Sequence, residues 1–266
     1  MLVNKFNSQK VCGYLDTGKY HRVLILFHHG LGDAVMFYST CFKALRKRYP
    51  DIQFFYSTHL GQERLFGNVN PDPNAYDIAF QLGYPCSEWG QTNETKSEKC
   101  ARVELGLPLP LEEDYKLPQS FKSPFVGVHF NSTCCPNLNM PYDHGKKLWS
   151  QIEKMGFIPF DTHMLHSTDH PEYSVVHDYE QCRRLDNIDA DIGKLLGALA
   201  CMRGFAGVPS GNMACALAIL PARHILYLSS EFRKDRLTHK QTFEMNIQKP
   251  YDAGIVREWL EELKKD

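Results

Sequence analysis

The fold is decided by His28-His29-Gly30-Leu31-Gly32-Asp33, a short stretch between two strongly patterned segments. The apolar run Val23-Leu24-Ile25-Leu26-Phe27 precedes it and is typical of a strand buried on both faces of a parallel sheet. Residues 34–49 follow it with the apolar spacing of an amphipathic helix. The two glycines therefore lie on a strand-to-helix turn, and in parallel α/β sheets such turns lie where ligands bind.

Asp33 stands at the start of the predicted helix, and its position allows two interpretations. A carboxylate there can cap the helix by accepting hydrogen bonds from its first N–H groups. It can equally serve as an acid–base catalyst in a crevice to which the helix presents those N–H groups. A tight turn with a capping residue and no chemistry is the alternative to a functional site.

Composition excludes several classes of protein. The 266 residues include 30 Lys and Arg against 31 Asp and Glu, so the chain lacks the overall basic charge of many nucleic-acid or anionic-membrane binders. The first ten residues lack the pattern of an export signal, and no run approaches the roughly 18 apolar residues of a membrane span. The nine cysteines are odd in number and form no CxxC pair, which favours reduced thiols. We expect a soluble cytoplasmic protein.

The first half of the chain predicts one α/β domain. Residues 51–56 are expected to form a second strand that closes a right-handed β-α-β unit, and residues 76–82 a third strand. Residues 11–15 are interpreted as a short edge strand, and residues 98–105 as helical. Four prolines between residues 108 and 124 indicate a domain boundary near Ser120. The first domain is therefore predicted over residues 1–120.

A second α/β cycle follows over residues 121–266. The predicted strands are 125–130, 157–160, 203–208 and 223–228, and the predicted helices are 144–155, 189–202, 210–220 and 255–264. Strands that alternate with helices favour a parallel sheet. The sequence thus predicts two Rossmann-like α/β domains that face each other across a cleft.

The glycine turn does not match the common nucleotide-binding motifs. The third glycine position of a dinucleotide fingerprint falls on Val35, and no acidic residue ends the second predicted strand to bind a ribose. The turn also lacks the lysine of a phosphate-binding P-loop. A nicotinamide or flavin enzyme and a P-loop nucleotide hydrolase are both disfavoured.

The chain resembles the ADP-heptose:lipopolysaccharide heptosyltransferases and their relatives of glycosyltransferase family 9, which are inverting enzymes of the GT-B fold. Residues 23–50 are similar to the family's strand, Gly-Leu-Gly-Asp turn, helix and terminal proline. Residues 126–156 are similar to the start of its C-terminal domain, and residues 192–220 to its donor-binding helix and the segment before it. The resemblance implies a nucleotide-sugar donor and an acceptor hydroxyl on a glycan, a lipid-linked sugar or another molecule.

The resemblance also implies which residues form the site. Asp33 matches the family's catalytic aspartate and is expected to be the general base. The first-turn amides of the helix after Pro209 are expected to bind the donor diphosphate without a metal or other cofactor. The residues expected to contact the donor are Gly30, Leu31, Gly32, Asn131, Ser132, Ser210, Gly211 and Asn212, and further candidates for phosphate or base contacts are His29 and His163.

Two departures from the family pattern keep other functions open. Pro209 replaces an acidic residue that usually precedes the donor motif, and Leu138-Asn139-Met140-Pro141 replaces a segment that carries a cation beside the phosphates. One alternative is a nucleotide-sugar-binding protein without catalysis. Another is a viral-type DNA glycosyltransferase that acts on a hydroxymethylated base, which the neutral charge disfavours. The four histidines between residues 163 and 177 lack the spacing of a structural zinc site, and base or ribose contact is the preferred interpretation.

Overall fold

The computed structural model describes residues 2–3, 10–57, 75–83, 94–111, 123–131, 139–162, 192–230 and 241–265. These residues belong to two compact units, one containing the described residues up to 111 and the other those from 123 onward. Each unit contains its own parallel sheet with helices, which confirms the predicted α/β class. The boundary predicted near Ser120 lies outside the described residues.

The sheet of the first unit has the strand order β1-β4-β2-β3, with every pair parallel. Its central strand β2 pairs with β3, which follows it in the chain, on one side and with β4 on the other. The chain therefore reverses its direction of winding between β2 and β4, and ligands bind outside the carboxyl ends of strands at such a switch point. The strands are β1 (Leu2–Val3), β2 (Arg22–Leu26), β3 (Gln53–Ser57) and β4 (Ile78–Gln81).

The helices of the first unit include two with a π-helical turn. Helix α2 (Leu31–Phe37) continues through a π-helical turn (Tyr38–Phe42) into α3 (Lys43–Arg48). Helix α4 (Lys96–Cys100) likewise continues into a π-helical turn (Ala101–Leu105). The predicted helix after the glycine turn is therefore present, with an irregular middle.

The prediction of an edge strand at residues 11–15 is wrong, because Val11–Leu15 forms helix α1. Val11, Cys12 and Leu15 are buried, and their spacing places them on one face of a helix. The segment is too short for its apolar pattern to distinguish a helix from a strand. The sheet edge is formed instead by β1, which pairs with β4.

The sheet of the second unit has the order β6-β5-β7-β8-β9, also parallel throughout. Its first strand β5 lies between β6 and β7, so the switch point falls between β5 and β7. Strand β9, four residues long at the sheet edge, is not predicted from the sequence. The strands are β5 (Phe125–His129), β6 (Ile158–Asp161), β7 (Gly204–Gly207), β8 (Ile225–Ser229) and β9 (Phe243–Asn246).

Two helices of the second unit, Tyr142–Lys154 and Ala253–Leu263, pack over one hydrophobic core. Trp259 is fully buried, and Trp149, Phe130 and Leu260 belong to the same cluster. The helices are α5 (Tyr142–Lys154), α6 (Ile192–Ala200), α7 (Gly211–Ile219) and α8 (Ala253–Leu263), with a 3₁₀ turn at Ala222–His224. Within the described ranges, no helix combines the length and hydrophobicity needed to cross a bilayer.

Candidate active site

The ends of three strands converge at the carboxyl edge of the first sheet. His28, which follows β2, forms a hydrogen bond of 2.9 Å between its Nε2 and the Oγ of Ser57 at the end of β3. The His29 ring packs on Phe27 with a centroid distance of 4.5 Å. Its Nε2 would lie 3.5 Å from a Cβ placed on Gly83, just after β4. The glycine turn therefore lies between strand and helix, as the sequence predicted, and the strand order places it at the β2–β4 switch point.

Asp33 is the third residue of α2 and does not cap the helix. Gly30 occupies the cap position without a side-chain hydrogen bond, and its carbonyl accepts from the N–H of Ala34 at 3.0 Å. A carboxylate in the first turn interacts favourably with the helix dipole. The side chain of Asp33 is 29% exposed, so solvent-borne molecules can reach it. The capping interpretation is wrong, and the catalytic interpretation stays a prediction.

Lys96 forms an ion pair with Asp33 that the sequence analysis did not anticipate. Its Nζ lies 3.2 Å from Asp33 Oδ1, and its side chain is only 8% exposed. It is the first residue of α4, which a capping box starts: Thr95 N–H donates to Glu98 Oε2 at 2.9 Å, and Glu98 N–H donates to Thr95 Oγ1 at 3.2 Å. Residues 83–97 show no apolar periodicity, but Thr-x-x-Glu is the sequence signal that predicts this helix start.

A carbonyl beside the π-helical turn after α2 links α2 to α4. Met36 O accepts hydrogen bonds from Thr40 Oγ1 at 2.6 Å, Ser39 Oγ at 3.3 Å and Ser97 Oγ at 3.4 Å. The Cys41 thiol donates to Ser97 O at 3.2 Å. π-helical turns are frequent at functional sites. Here the turn fixes the start of α4 against the helix that carries Asp33.

Three buried cysteines, Cys12, Cys100 and Cys215, do not have the properties of catalytic thiolates. A hydrogen bond with Cys41, together with burial, raises the pKa of the Cys100 thiol well above its usual value. Burial raises the pKa of Cys215 to about 12 and also raises that of Cys12. A nucleophilic cysteine needs the opposite shift, because the thiolate is the reactive form.

The carboxyl edge of the second sheet contains the start of helix α7. Ser210 occupies its cap position, and the Ser210 hydroxyl accepts from the N–H of Met213 at 3.2 Å. Gly211 and Asn212 occupy the first turn, where backbone N–H groups have no partner within the helix. The structure thus places Ser210, Gly211 and Asn212 at a helix N-terminus directly after β7, as predicted, and their role stays a prediction.

The side chain of Asn212 is engaged within the protein. Its Nδ2 donates to the carbonyl oxygen of Thr162 at 2.5 Å and lies 3.2 Å from Thr162 Oγ1 and 3.3 Å from His129 Nδ1. Thr162 in turn donates to Val128 O through both its N–H, at 2.9 Å, and its hydroxyl, at 3.1 Å. This buried network joins the ends of β5, β6 and β7. The side chain of Asn212 therefore aligns the strand ends.

Asn131 lies at the same edge and behaves differently. It is 1% exposed, and neither Nδ2 nor Oδ1 has a hydrogen-bond partner among the described residues. Buried amides are almost always hydrogen-bonded. An unpaired donor and acceptor beside the β5–β7 switch point are therefore candidates for hydrogen bonds to a ligand.

The other predicted contacts and departures can be placed in part. Ser132 and His163, with the three later histidines of that segment, lie outside the described residues. Of the departing segment 138–141, Leu138 lies outside the described residues, Asn139 is half-buried, and Met140 is buried in the core at 1% exposure. Pro209 is buried between β7 and Ser210. Within the described part of the chain, no three His, Cys, Asp or Glu side chains cluster as metal ligands.

Comparison with solved structures identifies the fold. The chain is similar to a family 9 glycosyl transferase from Veillonella parvula, with a TM-score of 0.63 and 11% identity over 92% of this chain and 98% of the other. It is also similar to E. coli ADP-heptose lipopolysaccharide heptosyltransferase II, with a TM-score of 0.60 and 16% identity. A third similar structure is E. coli heptosyltransferase WaaC with ADP, with a TM-score of 0.60 and 11% identity. Each of the two E. coli alignments covers 92% of this chain and 98% of the E. coli chain.

Comparison of sequences alone does not detect this structural likeness. No protein-family model matches the chain, and no curated protein sequence matches it. At identities of 11% to 16% the likeness establishes the fold and leaves the activity to be tested. The chain has the GT-B fold of the family 9 glycosyltransferases.

Proposed function

We propose that this chain is an inverting, metal-independent glycosyltransferase that moves a sugar from a nucleotide-sugar donor to an acceptor hydroxyl, with Asp33 as the general base. One observation carries the proposal: a partly exposed carboxylate lies in the first turn of the helix at the β2–β4 switch point of a chain with a glycosyltransferase fold. A carboxylate so placed can accept a hydroxyl proton.

In the proposed reaction Asp33 takes the proton of the acceptor hydroxyl as its oxygen attacks the anomeric carbon. The new carbon–oxygen bond forms while the bond from that carbon to the donor diphosphate breaks, and the diphosphate leaves with the electron pair. Attack from the face opposite the leaving group inverts the anomeric centre. Gly30 and Gly32 flank the turn before Asp33, and residues without side chains allow substrate to approach the backbone.

The donor is proposed to bind at the second sheet. Helix α7 starts at the carboxyl edge of this sheet, and backbone N–H groups at the start of a helix can stabilise a bound diphosphate. The amide of Asn131, which has no hydrogen-bond partner among the described residues, supplies a further donor and acceptor at this edge. These groups provide neutral hydrogen bonds and a helix dipole, which is how a leaving diphosphate can be stabilised without a metal.

The proposal is tested by the substitution Asp33→Asn, which keeps the side-chain shape and removes the base. We expect kcat to fall by about 10²- to 10⁴-fold, the usual contribution of general-base catalysis. Donor affinity, measured by calorimetry, should stay within about twofold of wild type, which is about 0.4 kcal/mol, because the donor is proposed to bind at the second sheet. The matched control is Asp51→Asn, which removes an exposed carboxylate of the same unit. Normal turnover by the Asp33 variant would refute the assignment.

A nucleotide-sugar-binding protein without catalysis is a second candidate. The two departures from the family pattern favour it, because Leu138-Asn139-Met140-Pro141 lacks the family's cation and Pro209 replaces its carboxylate. Slow donor hydrolysis in the absence of acceptor distinguishes the two. A transferase passes its sugar slowly to water, and this leak should disappear with Asp33→Asn, whereas a pure binder shows none.

The substrates are to be found by screening. A thermal-shift assay over ADP-, UDP-, GDP- and CDP-sugars reports the donor, because a ligand that binds the folded form raises its apparent stability. Acceptors should include glycans, lipid-linked sugars and an oligonucleotide with a hydroxymethylated base. Transfer in the presence of excess EDTA tests metal independence, and loss of activity there would contradict it.

A further inference from the structure

The lysine beside Asp33 is more deeply buried than the aspartate. Lys96 is 8% exposed and Asp33 is 29% exposed, although their charged atoms lie 3.2 Å apart. A buried lysine is rare unless it is paired, because taking an ammonium out of water is costly. The pair therefore has an inner cation fixed by the protein and an outer carboxylate that substrate can reach.

Helix stability does not explain why a lysine occupies this position. Lys96 is the first residue of α4, where the helix dipole disfavours a positive charge. The Thr95–Glu98 capping box already supplies the start signal of this helix. The position of Lys96 is consequently explained better by its partner than by its own helix.

The backbone that carries Lys96 is fixed to the helix that carries Asp33. Ser97, the next residue, donates through its hydroxyl to Met36 O and accepts at its carbonyl from the Cys41 thiol. Both contacts are made to the α2 helix and its π-helical turn. The distance between Lys96 and Asp33 is thus set by contacts on both sides of the pair.

We propose that Lys96 is a positioning residue that holds Asp33 Oδ1, so that the carboxylate faces the acceptor hydroxyl in the orientation needed for proton transfer. The inference rests on the proposed role of Asp33. The ammonium gives up no proton: the hydroxyl proton goes to Asp33, the carbon–oxygen bond forms, and the diphosphate leaves as before. Misplacing a reacting group by about 1 Å lowers a rate by about 10²-fold.

The experiment compares Lys96→Met, Lys96→Arg and wild type in steady-state transfer. We expect Lys96→Met to lower kcat by about 10²-fold with the donor KM unchanged, because only the orientation of the base is lost. Lys96→Arg keeps the charge and should recover at least about tenfold of that loss. The control Lys47→Met removes an exposed lysine of the same unit and should leave kcat at the wild-type value.

A double-mutant cycle measures the interaction between Asp33 and Lys96 through stability, so it does not require transfer activity. The unfolding midpoints of Asp33→Asn, Lys96→Met and the double variant in urea should be non-additive, as expected for residues in contact. Additive midpoints, a full kcat in Lys96→Met, or an arginine variant no better than the methionine variant would each overturn the proposal. Absence of transfer by wild type with every donor and acceptor would instead refute the proposed function, while the cycle still reports the pair.

Discussion

Two buried asparagines at one sheet edge should respond to the same substitution with opposite changes in stability. Asn131 is 1% exposed and has no hydrogen-bond partner among the described residues, whereas Asn212 is 5% exposed and donates to Thr162 and His129. Leucine has nearly the shape of asparagine, so Asn131→Leu removes two unpaired polar atoms with little repacking. An unsatisfied buried polar atom costs about 1–3 kcal/mol. Asn131→Leu is therefore expected to raise the free energy of unfolding by about 1–3 kcal/mol.

The same change at Asn212 removes a donor that two buried groups use. Thr162 O and His129 Nδ1 would each lose the donor that Asn212 provides, at a cost of about 1–3 kcal/mol for each buried group. Asn212→Leu should thus lower the free energy of unfolding by about 2 kcal/mol or more. Donor binding by the Asn131→Leu variant should weaken although the variant is more stable, because the substitution also removes the proposed ligand contacts. Loss of two hydrogen bonds, about 1–3 kcal/mol, predicts about 10- to 100-fold weaker donor binding.

The assay is urea unfolding of both variants followed by calorimetric titration with the donor found by screening. The signature is a more stable Asn131 variant that binds poorly, next to a less stable Asn212 variant. If Asn131→Leu destabilises the protein as much as Asn212→Leu does, the amide of Asn131 has partners within the folded chain. A stabilised Asn131 variant with unchanged donor affinity would show that the amide is unpaired but does not face the donor.

Three further predictions concern the surroundings of the site. Thr95→Ala removes half of the capping box and should lower the free energy of unfolding by about 0.5–2 kcal/mol together with kcat, whereas Thr95→Ser should preserve both. Hydrogen bonds from the backbone N–H of His21 and the guanidinium of Arg22 lower the pKa of Asp77 to about 2. The stability that ionised Asp77 contributes is therefore present above pH 4 and lost as the pH falls toward 2. Urea unfolding of Asp77→Asn should lack this acid dependence, and an unchanged dependence would contradict the prediction. Gly127→Ala places a methyl group 2.7 Å from the Phe205 ring and should lower the free energy of unfolding by about 1–3 kcal/mol. Urea unfolding measures this change, and an unchanged free energy would show that the core repacks around the methyl group.

The parts of the fold that the sequence predicts are those with a local signal. The continuous apolar run of β2 and the helical periodicity after Asp33 are each properties of a few neighbouring residues, and both elements lie where predicted. Helix α1 and strand β9 are five and four residues long, and at that length periodicity carries little information. Helix α1 is also decided by a distant contact, since Arg48 and Tyr49 bind Asp16 at its end.

The candidate site divides in the same way. Asp33 belongs to a motif that is contiguous in the sequence, and a pattern therefore indicates it. Lys96 lies 63 residues further on, and only the fold shows that the two charges meet. The difference between Asn131 and Asn212 is likewise invisible in the sequence, because both are asparagines after an apolar strand. What separates them is whether a neighbouring strand end supplies a partner.

The candidate groups at the two switch points differ in charge, and the difference agrees with the proposed division of roles. The β2–β4 switch point has an ion pair, Asp33 with Lys96, whose carboxylate is suited to accepting a proton. At the β5–β7 switch point the described candidates are Asn131 and the start of α7, which offer neutral amides and a helix dipole. A carboxylate beside a diphosphate would repel it, so an anionic ligand is accommodated better at the second sheet and a neutral hydroxyl at the first. The placement of charge thus supports binding the donor at one sheet and deprotonating the acceptor at the other.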